Sequence, residues 1–128
     1  MELTQIKKFE DACKVEGLDA KKVIPDFTAY PPKDRKAMIA HAKLVIIVKA
    51  ANRLVNNGKS WKPDWNNVQW DKWYPWFEMG GSSGFRFDDC VDWRSLSDVG
   101  SRLCFKNRDA AEYIGKQFVK LYKDYFTV

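Results

Sequence analysis

The sequence predicts an α+β fold: N-terminal helices including one long central helix, a three-stranded antiparallel meander and a C-terminal helix, in a single domain over residues 1–128. Three observations carry this. Residues 33–56 keep apolar side chains on a helical period with no glycine or proline inside. Residues 73–79, 85–91 and 101–106 are short β-prone segments, parted by turn formers at 80–84 and 95–100. Ala111, Ile114, Phe118, Leu121 and Tyr125 recur at three- and four-residue spacing near the end of the chain.

Taken in order, residues 4–16 read as a short helix. Thr4 is its N-cap, Ile6, Phe9 and Ala12/Cys13 form its apolar face, and Gly17 stops it. Residues 18–32 are irregular, punctuated by Pro25, Pro31 and Pro32, with Phe27 and Tyr30 expected to pin the loop to the core. The long helix over 33–56 follows this proline pair and is closed by Asn56-Asn57-Gly58. Ala37, Leu44, Val48, Ala51 and Val55 form one stripe, and Ile39, Ile46, Ile47, Ala50 and Leu54 widen it beyond half the circumference. Such a helix is buried on most sides. Leu44–Val48 would suit a strand by propensity alone, but its flanks lack breakers. Residues 60–72 are a loop. The segment 73–79 contains Pro75, which demands a sheet edge or a start after it. A turn or mobile tip at 80–84 leads into 85–91, and a second turn at 95–100 leads into 101–106. Asn107 or Asp109 then starts the last helix, which runs to Phe126. The helices cover one face of the sheet and leave the other to solvent or a partner.

Composition narrows the class of function. The longest strongly apolar run is Leu44–Val48, too short to cross a membrane. The opening Met1-Glu-Leu-Thr-Gln-Ile-Lys-Lys has no apolar core of a signal peptide, and no lipidation motif is present. Cys13, Cys90 and Cys104 are odd in number and widely spaced, unlike a secreted disulfide framework. A reducing, cytoplasmic setting without a membrane is expected. The net charge of +5 is unevenly spread: +5 over 1–60, −3 over 61–98 and +3 over 99–128. It is compatible with a polyanion without demanding one.

Catalytic chemistries find little support. Asn57-Gly58-Lys59-Ser60 resembles the tail of a phosphate-binding loop, but Arg53 stands where the first glycine belongs and the helix comes before it. One histidine, His41, and no Cys-x-x-Cys leave no closed metal site. His41 has no nucleophile in a recognisable arrangement beside it. Glu78, Asp88, Asp89, Asp92 and Asp98 read as a solvated face with cross-strand ion pairs rather than an acid–base or Mg²⁺ pair. A hairpin symmetric about Ser97 would set Cys90 opposite Cys104, Val91 opposite Leu103, Asp92 opposite Arg102 and Asp88 opposite Lys106, with both thiols reduced on the polar face. No enzyme, cofactor or metal is expected.

The anomaly is aromatic. All six tryptophans lie between Trp61 and Trp93, and 61–93 holds 10 of the 19 aromatic residues. So many rings do not all fit inside a small core. Trp73 and Trp76 differ in parity, so a strand through them buries one and exposes the other. Exposed rings stack on nucleobases, sugars or prolines. Lys59, Lys62, Lys72, Arg86 and Arg94 stand nearby for phosphates, although Asp64 and Asp71 would repel them. The candidate binding residues are Trp61, Lys62, Trp65, Trp70, Lys72, Trp73, Arg86, Trp93 and Arg94.

Several stretches also carry a resemblance. They are 35–41 (Arg-Lys-Ala-Met-Ile-Ala-His) with Lys43–Ile47, Pro63-Asp64-Trp65-Asn66, Lys72-Trp73-Tyr74-Pro75-Trp76-Phe77, and Gly100–Lys106 leading into Ala111–Phe118. In this order, over about residues 6–126, the chain is similar to small proteins of unknown function encoded by bacteriophages, prophages and mobile elements of gut bacteria. The resemblance implies a bacterial cytoplasm and a partner that is DNA, RNA or a replication, recombination or virion protein. It transfers no functional residue. Two expectations follow. The chain is a non-enzymatic accessory protein that binds single-stranded nucleic acid through aromatic and basic side chains. Alternatively, it is a protein-interaction or structural module whose aromatic patch docks on a phage or host protein.

Overall fold

The computed structural model describes residues 2–81 and 84–128. A 3-10 turn over Leu3–Gln5 precedes helix α1, Phe9–Glu16. The start lies later than Thr4 because Asp11, three residues into the helix, reaches back. Its Oδ2 accepts the backbone N–H groups of Lys7 and Lys8, both at 3.0 Å. Gly17 ends α1 in the left-handed region at φ 69°, where the Leu18 N–H reaches the Cys13 carbonyl.

The loop that follows is fastened differently from expectation. Phe27 and Tyr30 meet each other edge-on at 5.6 Å, and Tyr30 stays exposed, while Val23 and Ile24 contact the core. Arg35 holds the loop end, donating to the Thr28 and Tyr30 carbonyls. Helix α2, Pro32–Leu54, is the long central helix. Leu44, Ile47, Val48 and Ala51 are fully buried, and α2 packs against α1 on one side and against the C-terminal segment on the other.

The three-stranded meander is overturned. The sheet has two antiparallel strands, β1 (Lys72–Glu78) and β2 (Arg86–Trp93), with a bulge between Trp76 and Phe77. Ser82 and Ser83, inside the expected tip between them, lie outside the described residues. Residues 101–106 form no strand beside β2. Phe105 alone bridges, and it bridges β1 at Trp73 through two backbone hydrogen bonds. The reason lies in α2. Buried Asn52 donates to the Cys104 carbonyl at 2.9 Å and accepts the Lys106 N–H at 2.8 Å, so one side chain takes the backbone groups a third strand would have paired. The expected register falls with the strand. Cys90 faces Pro75, Val91 faces Tyr74 and Asp92 faces Trp73. Trp73 turns its N–H and C=O outward to Phe105, and alternation puts the Pro75 nitrogen on the same outer side, where its missing proton costs no ladder bond.

The last helix is two. Asn107 caps α3 (Arg108–Gln117), its side chain accepting the Ala110 N–H at 2.8 Å. The chain bends at Phe118 (φ −113°, ψ 30°) before α4, Val119–Phe126. α3 lies on the hairpin, and Gly115 makes the contact close: a Cβ there would stand 2.7 Å from Pro75 Cβ and 2.9 Å from the Phe87 ring. No helix among the described residues is long and apolar enough to cross a membrane.

Candidate nucleic-acid interface

The loop between α2 and β1 is built from short side-chain turns. Asn56, just past α2, donates to the carbonyls of Lys59 and Ser60 and accepts from Lys106 Nζ at 2.7 Å. This aims Trp61 back across the end of α2 and brings a cation from the far end of the chain beside it. Asp64 and Asn67 each accept the N–H two residues on, folding the loop into two tight bends. Trp65 donates from its indole to Ser101 Oγ at 2.6 Å, tying the loop to the segment after the hairpin.

Trp61, half-buried, stands between two hollows. One, about 460 Å³, is walled by Lys49 and Val45 of α2, by Lys62 and Pro63, and by Arg102. The other, about 410 Å³, is walled by Trp70, Trp73, Gln69, Asp71 and Lys106. Trp70 turns 49% of its surface to solvent. None of the six tryptophans is buried: Trp76 and Trp93 are also exposed, and Trp61, Trp65 and Trp73 are intermediate.

The cations divide into two groups. Lys72 is fully buried at 0% exposure, donating to the carbonyls of Asn67 at 2.9 Å and Arg94 at 2.6 Å beneath the Trp65 ring. It faces no solvent and no phosphate. Arg94 pairs with Asp71 at 3.2 Å, and Arg86 pairs with Asp88 and Glu78. Arg108 lies over the Trp73 ring and pairs with Asp89. Trp93 donates its indole N–H to the Tyr74 hydroxyl. By contrast, among the described residues no carboxylate lies within ion-pair distance of Lys59, Lys62, Arg102 or Lys106. Of the nine expected binding residues, the structure gathers Trp61, Lys62, Trp70 and Trp73 around these hollows. Trp65 and Lys72 serve as their scaffold, and Arg86, Trp93 and Arg94 line neither hollow. Sequence reading missed Lys49, Arg102 and Lys106. Each is distant from the tryptophans in the chain, and only the Trp65–Ser101 and Asn56–Lys106 bonds reveal the meeting.

Local electrostatics account for the acidic middle of the chain. Asp89 is held below the usual carboxylate range, first by the Cys90 N–H and then by Arg108. Asp92 is pushed up by partial burial and by the neighbouring Asp71 carboxylate. Asp71, Glu78, Asp88 and Asp89 are matched by Arg94, Arg86 and Arg108, while among the described residues Asp64, Asp92 and Asp98 have no cation within ion-pair distance. Cys90 and Cys104 are buried free thiols pushed up to about 11 by desolvation, so neither resembles a reactive cysteine. Among the described residues no group of three or more His, Cys, Asp and Glu is placed to hold a metal ion. No protein-family model, curated protein or solved structure matches the chain.

Proposed function

We propose that this chain is a non-enzymatic binding module for single-stranded nucleic acid, with Trp61 as its stacking platform. The observation that carries this is the meeting of Trp61, between two hollows, with Lys62, Arg102 and Lys106, which have no acidic partner among the described residues. A ring between a hollow rich in cations and an aromatic one edged by Lys106 suits unstacked bases, with the cations on the connecting phosphates. Double-stranded bases, already stacked, would not reach it. The resemblance to proteins of phages and mobile elements is compatible with this reading, since the partner it implies is DNA, RNA or a replication, recombination or virion protein in a bacterial host.

The test is titration of a labelled single-stranded oligonucleotide at two salt concentrations. Binding should quench tryptophan fluorescence and weaken with salt by a log–log slope of about −0.7 per phosphate contacted. Trp61→Ala should weaken binding by about 5- to 150-fold, the loss of one stacked base worth ~1–3 kcal/mol. Replacing Lys62 and Arg102 by Gln should flatten the salt slope. Absence of binding at low micromolar protein and about 50 mM salt would sink the proposal. If the same protein then sediments as a stable dimer, the exposed Trp70 is better read as part of a protein-docking patch.

A further inference from the structure

A third hollow shares no lining residue with the two around Trp61. It has a volume of about 360 Å³ and lies where the outer face of β1 meets the end of α4 and the 98–103 segment. Its walls are aromatic: Tyr74 and Trp76 from β1, Tyr125 and Phe126 from α4. Tyr125 is fixed by a tilted stack on His41 at 4.6 Å, and Phe126 by an edge-on contact with Phe77 at 5.6 Å. Trp76 leaves 49% of its surface in water above the hollow.

The charge of this hollow is one-sided. Asp98 is its only ionised side chain, and no lysine or arginine lines it. Among the described residues Asp98 has no cation within ion-pair distance. The Tyr74 hydroxyl accepts the Trp93 indole N–H, and burial first, then the nearby Asp98 charge, keep its own proton in place. His41, the one other ionisable wall besides the phenols, is kept neutral at pH 7 because burial lowers its pKa. The chain places its own cations over aromatic faces elsewhere, with Lys43 on Phe9, Lys72 on Trp65, Arg108 on Trp73 and Lys116 on Phe87. Among the described residues, no cation of the chain stands over the rings of this hollow.

We propose that this hollow binds an organic cation, an alkyl- or quaternary-ammonium group, with Trp76, Tyr125 and Phe126 presenting ring faces and Asp98 as counter-ion. The negative faces of the rings attract a poorly hydrated cation, and the single carboxylate neutralises it. An anion would meet Asp98 and the same negative ring faces with no lysine or arginine in the lining to offset them. The volume sits at the small end of ligand sites, the size of a head group rather than a whole drug-like molecule. The same chemistry could come from a free amine or from a methylated lysine side chain of a partner.

The test compares choline with 3,3-dimethylbutan-1-ol, which has the same shape and no charge, at constant ionic strength. The readouts are the Trp76 indole signal in NMR spectra and calorimetry. Choline should bind at least ~10-fold more tightly than the alcohol, as expected for a cation enclosed by rings. Trp76→Ala and Asp98→Asn should each weaken choline binding by at least ~5-fold, with oligonucleotide affinity and the unfolding midpoint unchanged. N-acetyl-trimethyllysine amide, run in parallel, assigns the source: tighter binding than choline points to a partner side chain, weaker binding to a free amine. Equal binding of choline and the alcohol, or no saturable signal from choline and the lysine derivative, would overturn the proposal.

Discussion

Lys72 carries a charged group into the interior, and its two carbonyl partners decide what that group does. Its ammonium joins the loop at Asn67 to the segment at Arg94. Lys72→Met keeps the stem but removes both bonds and leaves the Arg94 carbonyl unpaired, while that of Asn67 still accepts the Trp70 N–H, so it should cost about 1–3 kcal/mol in urea unfolding. Tyr122 is the opposite case. Its hydroxyl is buried without a hydrogen-bond partner among the described residues. Tyr122→Phe removes an unsatisfied group and should leave stability unchanged or raise it by up to about 1 kcal/mol in the same measurement. Neither distinction is written locally in the chain. Lys72 stands next to Trp73 and reads as a phosphate contact, because the loop that covers it comes from Asn67 and its second partner lies 22 residues on. Trp61 and Trp70 could be singled out from clustering alone, but which of the six rings face solvent depends on what the 95–106 segment covers.

At the scale of elements, one contact holds α3 to the hairpin and another holds α2 to residues 104–106. Gly115 lets α3 approach Pro75 and Phe87 so closely that a methyl group does not fit. Gly115→Ala gains about 1 kcal/mol of helix propensity, yet should destabilise the fold by about 1–3 kcal/mol through overpacking. Thermal unfolding reads the sign. Asn52 does for residues 104–106 what a strand partner would have done. Asn52→Leu should cost about 2–4 kcal/mol and speed hydrogen exchange at the Lys106 amide. The long helix α2 was legible because its period runs uninterrupted over 23 residues. The third strand was misread because alternation over 101–106 says nothing of a buried asparagine 52 residues earlier that takes its carbonyl. The bend at Phe118 was hidden for a similar reason. The apolar period continues through it, and only packing on the hairpin and on α2 separates the two helices.

For the molecule as a whole, charge is arranged against its order in the chain. The acidic middle matches most of its carboxylates internally, while Lys49, Arg102 and Lys106 from the basic ends meet Trp61. Sequence reading located the acidic and basic thirds but not their convergence, which depends on Asn56 and Ser101 as ties. Acid should act on this arrangement in two steps. His41 titrates below its ordinary 6.5 in the folded chain because it is desolvated, so the unfolded chain binds its proton first and stability declines as pH falls from about 6.5. Asp11, held down mainly by the Lys7 N–H, and Asp89, held down mainly by the Cys90 N–H, contribute stability above pH 3.8 that is lost as pH falls through their depressed values. Urea midpoints followed by circular dichroism between pH 8 and pH 3 should show both declines.

A sheet of only two strands has a consequence wherever copies of the chain meet. β1 has Phe105 against part of its outer side, but among the described residues no backbone pairs with β2 beyond β1. Such an edge invites another chain to add itself, the first step of fibre growth. Along β2 the exposed side chains are Arg86, Asp88, Asp89, Asp92 and, at its end, Trp93. Two copies meeting edge to edge in parallel register would set Asp88, Asp89 and Asp92 against their own copies. The carboxylates that make this third of the chain acidic therefore disfavour self-templating along the bare edge of β2.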